Sequence, residues 1–188
     1  MFYLVASSAA IVVTLFLLYR AYFATYHFAT VQSGALYRDG NRSAHEFLTA
    51  LRKSRAKTVV MLVDDTEIAH PIFVREIAQC DTLGINIERI VIPLGGWPTG
   101  DQVRQFIVIV TDKSRQPVLV HCAQGVRRTG MMVAAYQESI LGYDNARTKS
   151  LIMRFGHSDR SINDVKRFID IYDPRERQTL EELPLSVE

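Results

Sequence analysis

VLVHCAQGVRRTGMM, residues 118–132, joins an apolar strand to an apolar helix through a loop crowded with reactive and charged side chains. Packing alone gives so short a connection no reason to hold His121, Cys122, Arg127 and Arg128 around a central glycine. The six backbone N–H groups from Ala123 to Arg128 can curl round one centre if Gly125 takes a backbone angle that other residues avoid. The loop then feeds a helix N-terminus, whose free amides and partial positive charge favour an anion. Such a nest suits a tetrahedral oxyanion, with Ala123, Gln124, Gly125, Val126, Arg127 and Arg128 as its phosphate-binding residues. Arg128, six positions after Cys122, comes back round the loop with a planar guanidinium able to grip two phosphate oxygens. The amides, the helix terminus and Arg128 together stabilise a thiolate at Cys122, a nucleophile aimed at phosphorus. Thr129 can donate to the sulfur as it departs. His121 is expected to bond loop carbonyls rather than to act as a base.

Outward from this loop, strand-like and helix-like stretches alternate. Ser33–Tyr37, Lys57–Val63, Ile85–Leu94 and Val118–Val120 are strand candidates, the second a continuous apolar, β-branched run suited to a strand buried on both faces. Helical spacing covers Ser43–Ser54, Glu67–Leu83, Asp101–Thr111, Thr129–Leu141, Asn145–Phe155 and Ser161–Tyr172. Ser43 with Glu46 forms a capping signature, while Gly84 and Gly142 stop their helices. Strands separated by helices imply crossovers, hence an α/β fold with a central, mostly parallel sheet flanked by helices. Ligands of such sheets bind beyond the carboxyl ends of the strands, which is where the Cys122 loop lies.

His121-Cys122-Ala-Gln-Gly125-Val-Arg-Arg128-Thr129 resembles the protein tyrosine phosphatase signature H-C-x-x-G-x-x-R-[S/T] at every fixed position. The residues from Val31 to Tyr172 resemble the dual-specificity branch, being short and without a phosphotyrosine-recognition loop. The resemblance implies a phosphatase that works through a thiophosphate on Cys122, with Arg128 holding the phosphoryl group and Thr129 assisting its release. It implies hydrolysis of phosphotyrosine, phosphoserine and phosphothreonine in proteins, and no metal or other cofactor. The alternatives are an inositol-phosphate or phosphoinositide phosphatase, or a phosphate-binding module that does not turn over.

The family protonates its leaving group with an Asp placed about thirty residues before the nucleophile. Here that window reads ERIVIPLGGWPTGD, and Gly95-Gly96 stand where the Asp is expected. Asp101, 21 residues before Cys122, is the nearest candidate acid, although it also opens a helix and suits its cap. Asp64 and Asp65 end a strand on the site face and are the next candidates, or a turn pair. A third reading has no protein acid at all. Arg127 can meet a second phosphate or solvent, Trp97 can line the cleft rim or the core, and Arg147, Lys149, Arg154 and Arg160 form a solvated face or a headgroup patch.

The chain of 188 residues carries a net charge of only +2, with no dense basic run, which argues against a nucleic-acid partner. Two cysteines, Cys80 and Cys122, make no disulfide framework and suit a reducing compartment. The first nineteen residues hold no charged side chain, and at about 1.5 Å per residue they match a bilayer core. They are expected to form a transmembrane helix, with Arg20, Arg38 and Arg42 placing the catalytic domain on the cytoplasmic side of a single-pass membrane protein. The expected organisation is an anchor and juxtamembrane segment over residues 1–30, a phosphatase domain over 31–174, and a polar tail over 175–188.

Overall fold

A computed structural model describes residues 13–16, 25–155 and 159–174. The strands are β1 (Ala29–Gln32), β2 (Leu36–Gly40), β3 (Thr58–Met61), β4 (Asn86–Arg89) and β5 (Val118–Cys122). The helices are α1 (Ala44–Ser54), α2 (Pro71–Leu83), α3 (Gly100–Thr111), α4 (Arg127–Ser139), α5 (Asn145–Ile152) and α6 (Asp159–Ile171). The sheet order is β1-β2-β5-β3-β4, with β1 antiparallel to β2 and the other pairings parallel. β5, with every residue buried, lies at the centre, as a continuous apolar run demands.

Side-chain alternation divides the core. Leu36, Val60, Val118, Val120 and Cys122 face α3, α4 and α6, whereas Val59 and Leu119 face Phe47, Ala50 and Leu51 of α1 and Cys80 of α2. Two layers of helices therefore clamp one sheet, and both flanks are anchored by local capping. Ser43 accepts from the Glu46 amide at the start of α1, and Thr99 and Gln102 form a reciprocal capping box at the start of α3.

The sheet is mostly parallel, as expected, with β1 adding one antiparallel edge. Several other expectations are corrected. The second strand occupies Leu36–Gly40 and not Ser33–Tyr37, since Gly34 takes a left-handed turn first. Helix α2 starts at Pro71 and not at Glu67, because the Asp64 carboxylate captures the Thr66 and Glu67 amides in a turn. The transmembrane part of the fold, and the single-pass membrane placement with a cytoplasmic catalytic domain drawn from it, are withdrawn. Among the described residues no helix is long and apolar enough to cross a membrane, and only residues 13–16 of the first 24 are described. The rest of that segment, the tail 175–188 and the Arg160 side chain lie outside the described residues.

Candidate active site

The end of β5 delivers Cys122 to the rim of the sheet, beside Gly40 in register on β2. Cys122 is 3% exposed, and its sulfur accepts the Gly125 amide at 3.3 Å. Gly125 has φ +67°, and a Cβ there would lie 2.3 Å from the Asp39 carbonyl oxygen. Glycine is thus required twice over, by conformation and by the approach of β2.

The three carbonyls of this turn are all drawn away from its centre. The Asn41 amide donates to Ala123 O at 2.8 Å, His27 Nδ1 donates to Gln124 O at 2.7 Å, and the buried Arg38 guanidinium donates to Gly125 O. Because a trans peptide is planar, a carbonyl held outward turns the next N–H inward. The amides of Gln124, Gly125 and Val126 are therefore presented to whatever anion the loop encloses. Sequence reading identified the loop but not these three supports, which come from β2 and the segments flanking β1 and β2, about eighty to a hundred residues earlier.

Arg128 stands at the start of α4, 4% exposed, and is immobilised. It donates to the carbonyls of Leu62 and Ile92 at 3.1 Å each and forms a two-point pair with Glu67, Nη2 to Oε1 at 2.8 Å. Burial opposes its charge, but the Glu67 hydrogen bonds prevail and hold Arg128 above its ordinary value. Glu67 is a site residue that sequence reading took for the first turn of a helix. Thr129 is fully buried, and its hydroxyl has no hydrogen-bond partner among the described residues. Arg127 points elsewhere: it pairs with Asp164 at 2.7 Å and donates to Gly96 O at 3.1 Å, tying α4 to the segment before α3 and to α6.

His121 lies on the opposite face of β5 from Cys122, against the Phe47 ring at 5.3 Å and 3.6 Å from Glu76 Oε2. Burial lowers His121 to about 4 and raises Glu76 to about 9, so both are neutral at pH 7. A neutral imidazole behind the sheet takes no proton from the thiol.

The candidate acids are occupied otherwise. Asp101, 77% exposed, is ion-paired with Arg104 in the first turn of α3. Asp65, equally exposed, pairs with Arg89 at 2.8 Å. Asp64 accepts the amides of Thr66, Glu67 and Leu94 and the Thr66 hydroxyl, at 2.9, 3.0, 2.7 and 2.6 Å. The Thr66 hydroxyl first, then these amides, lower Asp64 to about 2, so it stays ionised and holds no proton to give. Its bond to Leu94 fastens the loop 92–98 to the end of β3. Trp97 in that loop packs edge-on against Phe168 of α6, at 6.1 Å between ring centres.

Comparison with known proteins places this arrangement. A family model described as "DSP-PTPase phosphatase fused to NAD+ Kinase" matches residues 24–167. A probable chloroplastic NAD kinase 2 of Oryza sativa subsp. japonica is 25% identical over 112 residues, which make up 59% of this chain and 11% of that relative. The inositol diphosphatase DSP4 of Arabidopsis thaliana is 28% identical over 150 residues, 78% of this chain and 72% of the relative. The core catalytic domain of the PP-IP phosphatase SIW14 of S. cerevisiae superposes with a TM-score of 0.68 at 19% identity, over 82% of this chain and 90% of that one. That superposition establishes the fold.

Proposed function

The chain belongs to this family of dual-specificity-type phosphatases, within the cysteine-dependent protein tyrosine phosphatase superfamily, and on that premise we propose that its substrate is a diphosphate, the terminal phosphate of an inositol diphosphate. The observation that carries this reading is the loop 92–98, tied to Arg128 through the Ile92 carbonyl and to Arg127 through the Gly96 carbonyl, with Gly95-Gly96 where the family's Asp is expected. Asp64, Asp65 and Asp101 are each committed to other partners. An enzyme without a general acid needs a leaving group that departs as an anion. A phosphate ester does so near neutrality, its second pKa being about 6, whereas a tyrosine phenol has a pKa of about 10. The name of the Arabidopsis relative, an inositol diphosphatase, supports the same substrate class.

In this mechanism the Cys122 thiolate attacks the terminal phosphorus. The S–P bond forms as the bridging P–O bond breaks, and the electron pair leaves on the inositol-bound phosphate without needing a proton. The inward amides of Gln124, Gly125 and Val126, with Arg128, bind the phosphoryl oxygens through the transition state. Water then attacks the phosphocysteine and gives its proton to solvent. Inorganic phosphate departs, and Thr129 donates to the sulfur as the S–P bond breaks.

The test is a kinetic series on the full chain: an inositol diphosphate, aryl phosphates of graded leaving-group pKa, and phosphotyrosine, phosphoserine and phosphothreonine peptides. The expected result is a steep fall in kcat/KM with leaving-group pKa, the diphosphate leading the peptides by about 10²–10⁴, and no turnover in Cys122→Ser. Equal turnover of phosphopeptides would restore the phosphoprotein reading. Phosphate binding without turnover of any substrate would make the chain a binding module.

A further inference from the structure

Arg38 is a buried cation that makes no ion pair among the described residues. It is 2% exposed on β2, and its guanidinium donates to Gly125 O and lies 3.7 Å from the centre of the Phe155 ring. No carboxylate lies within ion-pairing distance of it among the described residues. Its neighbour Asp39 projects from the opposite face of the strand, and burial raises Asp39 to about 9, leaving it uncharged at neutral pH. Burial lowers Arg38 only to about 10, so the guanidinium stays charged, and electrostatic attraction links it first to Cys122 and then to Asp39.

The charges around Cys122 give this weight. From α4 comes Arg128, already matched by the Glu67 carboxylate and close enough to Asp64 to feel its charge. Arg127 is matched by Asp164, and His121 is neutral. The signature arginine therefore adds little net positive charge, with two carboxylates beside it. A dianionic phosphoryl group entering such a site meets a poor balance unless another cation stands close. We propose that Arg38, outside the Cys122–Thr129 signature, is a positioning residue for phosphoryl binding: it holds the Gly125 carbonyl away from the loop centre and supplies the uncompensated positive charge beneath it. The proposal rests on the reading that this loop binds phosphate. The Phe155 ring, 3.7 Å away, favours the cation, and the cavity that Arg38 lines brings Gln137, Arg147 and Arg154 beside it but no carboxylate.

The experiment measures inorganic phosphate binding to the full chain by titration calorimetry at two ionic strengths, for the parent, Arg38→Gln and Arg38→Lys. Arg38→Gln is expected to weaken phosphate about tenfold or more and to flatten the salt dependence, since an opposite charge at close range shifts such equilibria by about one to three powers of ten. Arg38→Lys keeps the charge and is expected to recover most of the affinity at pH 6.5. A buried lysine titrates where arginine does not, so the Lys variant should lose affinity relative to the parent between pH 7 and 9. That ratio needs no folded Gln variant, and a purely structural Arg38 would leave it constant with pH. A constant ratio, or a folded Arg38→Gln that binds phosphate as the parent does, would overturn the proposal. A parent that binds no phosphate would instead overturn the underlying reading of the loop.

Discussion

A Cβ on Gly40 would lie 2.3 Å from the Gln124 oxygen, just as one on Gly125 would lie 2.3 Å from the Asp39 oxygen, so two glycines interlock where β2 passes the phosphate loop. Gly40 is outside the signature, yet the loop keeps its shape only while residue 40 has no side chain. Gly40→Ala is expected to lower aryl phosphate turnover at least about a hundredfold, with the signature intact, because displacement of about 1 Å in a catalytic group has that scale of effect. Steady-state kinetics on a variant that still folds checks it, and turnover within twofold of the parent would refute the interlock. The signature itself was legible residue by residue, since its spacing is local. Arg38, Asn41 and His27 were not, because their meaning depends on which backbone stands beside β5, and that is decided by sheet pairing over some eighty positions. Glu67 was hidden for the same reason: only the fold brings it against Arg128.

Between elements, Asp64 does the joining. Its carboxylate closes the turn after β3 with the Thr66 and Glu67 amides and reaches the Leu94 amide of the loop 92–98. The turn positions Glu67 on Arg128, so one side chain organises both walls of the site. Asp64→Asn is expected to cost about 1–3 kcal/mol, since an amide NH₂ must replace one accepting oxygen and leave a backbone donor unpaired. A folded-state value of about 2 against an ordinary 3.8 also means that the Asp64 contribution is present above pH 4 and lost as pH falls towards 2. Turnover should fall by the same factor for aryl phosphates with good and poor leaving groups. A loss confined to poor leaving groups would identify Asp64 as the proton donor and remove the ground for a diphosphate substrate. The elements themselves were readable where local chemistry marks them: the Ser43 cap of α1, the apolar run of β3, the glycine that ends α2. Boundaries slipped where a side chain competed with the backbone, as Asp64 does ahead of α2, or where a four-residue edge strand such as β1 turns little more than Val31 to the core.

At the scale of the molecule, one sheet clamped between two helical layers buries ionisable groups that no single segment reveals. Asp39 from β2, Glu76 from α2 and His121 from β5 converge behind the loop, each fully buried, with no hydrogen-bond partner for either carboxyl among the described residues. Burial first, then their mutual repulsion for Glu76, raises both carboxyls to about 9 from ordinary values of 3.8 and 4.5. The folded chain then holds two protons that the unfolded chain releases. Their stabilisation is complete below about pH 4 and is lost as pH rises through 9, at about 1.4 kcal/mol per pH unit for each group. His121, lowered by burial to about 4, works in the other direction, but only below its ordinary 6.5. Glu138, raised by burial to about 7, has finished titrating by pH 8, and Cys80, pushed to about 12, begins to matter only above its ordinary 9. The interval from pH 8 to 9 is therefore governed by Asp39 and Glu76. The parent should lose thermal stability across it, and Glu76→Gln should lose it at about half the slope, because one of the two protons is gone. Thermal unfolding at pH 8, 8.5 and 9 measures both slopes. Parallel curves for parent and variant would mean that Glu76 is already ionised in the folded state, and that the carboxyl 3.6 Å from His121 carries a charge within the core.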